Sequence, residues 1–70
     1  MGEERPKAWV GDQVWDEDAG KEGVVTDVRG GVYVLRELYT WALTWTAPGG
    51  DRLRVTVPRL ERLRRRRERR

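Results

Sequence analysis

From Trp9 onward the chain falls into short runs rich in Val, Trp, Tyr, Leu and Thr, separated by glycine-containing turns. This pattern reads as a meander of β-strands. Five strands are predicted, over residues 12–16, 22–29, 32–38, 41–47 and 53–57. Gly20-Lys21-Glu22-Gly23, Gly30-Gly31 and Pro48-Gly49-Gly50-Asp51 supply three of the connections. No glycine or proline marks the link at Leu38-Tyr39-Thr40, so the third and fourth strands also read as one long bent strand.

The alternation within the strands separates core from surface. In the fourth, Trp41, Leu43 and Trp45 oppose Ala42, Thr44 and Thr46. Filling a core this small calls for Trp45 together with Trp41 or Leu43. In the fifth, Leu53, Val55 and Val57 oppose Arg52, Arg54 and Thr56. In the second, Val25 and Val28 are three apart and share a face only if a bulge intervenes; Val24 with Val28 is the unbulged alternative. Pro58 ends the ladder, and Leu60 with Leu63 at i, i+3 suits one helical turn that closes the open end of the sheet. A five-strand sheet this short must curl to protect its edges, so the expected fold is all-β, a small, partly open barrel. Residues 1–8 read as a flexible, solvated lead-in, residues 9–63 as the barrel domain, and residues 64–70 as an arginine-rich tail.

Composition narrows the chemistry. The 70 residues include no Cys, His or Ser, which removes disulfides, thiolate metal sites, the commonest general base and the usual nucleophiles. The expectation is a protein that is not an enzyme and that needs no cofactor and no small-molecule substrate. The longest apolar run, Val32-Tyr33-Val34-Leu35, is far short of the roughly 20 residues that span a bilayer. Met1-Gly2 is followed by Pro6 where a myristoylation signal has Ser or Thr. No membrane association is expected, and the cytoplasm is the expected location.

The net charge of +3 conceals a division. Residues 1–58 carry seven basic and ten acidic side chains, a −3 body, while residues 59–70 carry eight Arg and two Glu, a +6 tail. The codon usage of a GC-rich genome accounts for thirteen Arg against two Lys, but not for the crowding of eight into twelve positions. Such asymmetry points to a polyanion-binding arm.

Gly11-Asp12-Gln13-Val14 followed by Gly20-Lys21-Glu22-Gly23-Val24-Val25-Thr26-Asp27-Val28 resembles the KOW motif of transcription elongation factors and ribosomal proteins. The resemblance covers about residues 10–35, with weaker agreement at Pro58 to Leu63, and it implies a Src-homology-3-like barrel. The family's loop after the first strand is usually longer and often basic. Here it is Asp16-Glu17-Asp18-Ala19, short and acidic, so the family's nucleic-acid contacts do not carry over to it. The same run is similar to short, uncharacterised actinobacterial proteins with a Gly-Asp-x-Val, Gly-x-x-Gly-x-Val and Leu-Arg pattern, here ending in Leu35-Arg36.

Two candidate sites follow. Arg62, Arg64, Arg65, Arg66, Arg67, Arg69 and Arg70 are the candidate nucleic-acid contacts, able to neutralise phosphates without reading bases. Trp9, Trp15 and Tyr39, with the acidic Asp16, Glu17 and Asp18, are the candidate partner-binding surface; the acidic run lacks the spacing of a calcium loop and suits a basic partner, including the chain's own tail. The expected function is a non-enzymatic accessory module, associated through its tail with nucleic acid or the transcription and translation machinery. The alternative is a protein–protein adaptor or inhibitor that acts through the acidic loop and the aromatic face.

Overall fold

The computed structural model describes residues 7–39 and 43–68, with side chains as far as Arg65. The described chain is mostly β: strands β1 (Gln13–Asp16), β2 (Lys21–Arg29), β3 (Val32–Glu37), β4 (Thr44–Ala47) and β5 (Leu53–Val57) precede one helix, α1 (Arg59–Glu68). All neighbouring strands are antiparallel, in one sheet of order β4-β3-β2-β1-β5. β3 and β4 pair with each other, so the chain reverses between them and the single bent strand is excluded. Of the predicted fourth strand, residues 41 and 42, and Trp41 with them, lie outside the described residues. Among the described residues, no helix is long and apolar enough to cross a membrane.

The valine spacing in β2 is resolved by a bulge. Val25 faces Leu35 and Asp27 faces Val34, which leaves Thr26 as the extra residue. An added residue shifts the side-chain alternation by one position, so Val25 is buried and Val28 also packs on the core. The ladder between β1 and β5 slips in the same way: Gln13 faces Val57 and Val14 faces Val55, with Thr56 between. Both irregularities increase local twist.

The core is built from Ala8, Val14, Val25, Tyr33, Leu35, Ala47 and Leu53, with Val28, Trp45 and Val55 packed against it. Ala8 joins because the buried Tyr33 hydroxyl donates to its carbonyl at 2.9 Å, one residue ahead of the boundary expected at Trp9. Trp45 takes its expected place; of its two possible companions Leu43 is 54% exposed, and Trp41 lies outside the described residues. The strand begins at Thr44, and Leu43 lies just ahead of it, its carbonyl accepting the Glu37 N–H at 2.9 Å.

The C-terminal segment also departs from expectation. Instead of one turn and an arginine tail, α1 runs for ten residues and takes up positions 64–68. Leu, Arg and Glu are strong helix formers, and Glu61 in the first turn pairs with Arg64 at 3.2 Å and Arg65 at 3.4 Å, the i, i+3 and i, i+4 neighbours. Leu60 and Leu63 do not close the end of the sheet; they are 73% and 53% exposed. Among the described residues, hydrogen bonds from Arg59 and Arg62 join α1 to the body.

Candidate functional site

Helix α1 is held by its first turn. The carboxylate of Asp12, 4% exposed, accepts the Arg59 backbone N–H at 2.7 Å on Oδ1 and the Trp9 N–H at 2.9 Å on Oδ2. This is a helix cap supplied from 47 residues away. Asp12 is itself fixed, since its N–H donates to the Trp9 carbonyl and its carbonyl accepts the Val25 N–H, both at 3.0 Å. Arg62 Nη1 donates to the Gly11 carbonyl at 3.1 Å. Gly11 sits at φ +96°, a conformation that favours glycine, and a Cβ there would crowd the Arg59 Cβ at 3.1 Å.

Among the candidate arginines, Arg62 therefore spends one donor on the body. Arg64 and Arg65 are exposed and, among the described side chains, pair with Glu61, the kind of surface pair that contributes little to stability. Arg66 and Arg67 lie on the backbone of α1, and Arg69 and Arg70 lie outside the described residues.

The acidic loop divides in two. Asp16 is 2% exposed and works inside the fold: Oδ1 accepts the N–H groups of Asp18 at 2.9 Å and Ala19 at 3.2 Å, and Oδ2 accepts the Trp45 indole N–H at 2.8 Å. The Trp45 ring lies over Gly23, where an added Cβ would come within 2.6 Å of both the ring and the Arg36 carbonyl, and Lys21 Nζ sits 4.5 Å from the ring centroid. Glu17 and Asp18 remain on the surface. Glu17 pairs with Arg54 at 3.0 Å and Arg52 at 3.7 Å, and Asp18 with Arg52 at 3.4 Å. Within the described residues, the loop's basic partners are thus the arginines of β5 and the turn before it, not those of α1.

The candidate aromatics are exposed but dispersed. Trp9 precedes β1, Trp15 lies on the outer face of β1 opposite Glu22 and Arg54, and Tyr39 follows β3. Beside Trp15, Glu22 Oε2 accepts from Thr56 Oγ1 at 2.6 Å and Gln13 Nε2 at 2.8 Å, which ties β1, β2 and β5 together. These two bonds, that from Thr56 first, hold the Glu22 carboxyl below the usual range.

Sequence reasoning placed Asp12 at a strand start and missed its use as a cap. The available signal was an omission: α1 follows Pro58, and no Ser, Thr, Asp or Asn stands at its start to cap it locally. Comparison with family models, curated proteins and solved structures gives no match for this chain.

Proposed function

We propose that this protein is a non-enzymatic binding module that engages nucleic acid, alone or within the transcription and translation machinery, through helix α1. The observation that carries the reading is the attachment of an arginine-rich helix by its first turn, which leaves Arg64 and Arg65 exposed beyond it. A +6 segment on a −3 body attracts polyanions, and arginine forks pair with phosphate oxygens. Such contacts set position and affinity without base readout. The absence of Ser, Cys and His from the sequence argues for binding rather than catalysis, and the module is read as cytoplasmic.

The fold reading belongs to the same proposal. A five-stranded antiparallel sheet with β1 between β2 and β5, and with a long β2 bulged near its middle, is a sheet disposed to curl. That supports a small, partly open barrel of the Src-homology-3-like, KOW-like kind. The test is binding of the full chain to duplex and single-stranded oligonucleotides at low ionic strength, beside an Arg64→Gln/Arg65→Gln variant. Binding weakened in the variant supports the reading; no binding by the wild type refutes it. A second reading, a protein adaptor or inhibitor, is favoured by the exposed Trp15 between Arg54 and Glu22.

A further inference from the structure

We propose that the groove between residues 9–12 and helix α1 binds a short acidic peptide segment that carries an apolar side chain beside its carboxylates. Val10, Gly11, Arg59, Arg62 and Leu63 line it, and it encloses about 310 Å³. That is the lower end of the about 300–1,000 Å³ typical of ligand pockets, room for a side chain or two rather than a cofactor.

Charge selects the sign of the occupant. Both ionised side chains lining the groove are arginines. Each guanidinium has five N–H donors in a fork that fits a carboxylate. In the contacts of the described residues, Arg62 uses one donor, on the Gly11 carbonyl. The Arg59 guanidinium forms an ion pair with Asp12 Oδ1 at 3.7 Å, beyond hydrogen-bond range. Both forks retain donors for an incoming acid.

The walls select the class. Val10 and Leu63 are exposed apolar side chains, and Trp9, beside Val10 in sequence, and Leu60, three residues before Leu63, are exposed as well. A phosphate backbone would satisfy the arginines but leave these walls against a hydrated polyanion. A leucine-sized side chain flanked by carboxylates satisfies both. Arginine, tryptophan and large apolar groups are also the residue types that interface cores favour. The floor is rigid, since Gly11 N–H donates to the Val25 carbonyl at 2.9 Å and Asp12 holds both sides. The groove uses the first turn of α1, whereas the nucleic-acid reading uses Arg64 and Arg65 beyond it, so either can fail without the other.

Fluorescence anisotropy of the full chain with two labelled peptides, Gly-Asp-Glu-Leu-Asp-Glu-Gly and its Leu→Ser counterpart, tests the proposal. Burial of one leucine predicts that the first binds at least about tenfold more tightly. Leu63→Ser, a change at an exposed site, should abolish that preference and leave oligonucleotide affinity unchanged, while Arg62→Gln should weaken both peptides. Equal affinity for the two peptides, or a preference that survives Leu63→Ser, would overturn the proposal. Displacement of the leucine peptide by a single-stranded oligonucleotide in wild type and the Arg64→Gln/Arg65→Gln variant alike would make the groove a nucleic-acid site instead. A Glu3→Gln/Glu4→Gln variant that gains affinity for the peptide at fixed salt would make the chain's own N-terminus the occupant, and would equally overturn it.

Discussion

Replacing Asp12 by alanine should cost this protein a large part of its stability through the loss of one carboxylate. Two hydrogen bonds converge on it, from the Arg59 and Trp9 backbone N–H groups, at a side chain that is almost fully buried. Loss of a helix cap costs about 1 kcal/mol, within a range of about 0.5–2. A hydrogen bond to a charged group adds about 1.5–3 kcal/mol. Trp9 and Arg59 are surface residues whose freed N–H groups regain some water, so a total of about 2–3 kcal/mol is expected. A domain of this size has a net stability of only about 3–5 kcal/mol. At about 4–8 °C per kcal/mol, thermal melts followed by circular dichroism should fall by roughly 10–20 °C. Asp12→Asn keeps one acceptor oxygen and should lose about half as much. An Asp12→Ala protein that melts within about 2 °C of wild type would refute the reasoning.

The other structural predictions are independent of that one. Gly23→Ala places a methyl within 2.6 Å of the Arg36 carbonyl and the Trp45 ring; the overpacking should destabilise by about 1–3 kcal/mol in urea melts. Glu22, whose carboxyl is held below its ordinary value by Thr56 and Gln13, should contribute stability that is fully present above the unfolded pKa of about 4.3 and lost as pH falls through the lower folded value. Urea midpoints measured from neutral pH downward should therefore show a shallower acid loss in Glu22→Gln than in wild type, and identical profiles would contradict the assignment. Deleting residues 64–70 should leave the melting temperature nearly unchanged, because among the described residues the hydrogen bonds from α1 to the body come from Arg59 and Arg62.

Much of this fold was legible in local pattern. The Val25/Val28 spacing offered the β2 bulge as one of two readings, and the alternation of Leu53 and Val55 marked the inner face of β5, because side-chain direction in a strand depends on near neighbours; the register slip at Thr56 leaves Val57 outside that core. The helix and the loop were less legible because long-range contacts decide them. Asp16 stands in an acidic run that looks solvated, yet Trp45, 29 residues away, and the turn that follows together draw its carboxylate inside. The start of α1 is held by a cap from Asp12 that no window around Pro58 contains. Leu60 and Leu63 suggested burial by their spacing, but it is Arg59 and Arg62 that bond to the body, at Asp12 and Gly11 ahead of β1.

The central claim is that α1 binds nucleic acid through charge, and salt dependence tests it most directly. Affinity of the full chain for duplex DNA should be measured across a series of salt concentrations, alongside the Arg64→Gln/Arg65→Gln variant. With about four to six phosphates neutralised, the log–log slope should lie near about −4 to −5, and removal of two arginines should reduce its magnitude by about 2. A protein that fails to bind at low salt, or one whose binding is insensitive to salt and unchanged in the variant, would contradict the account.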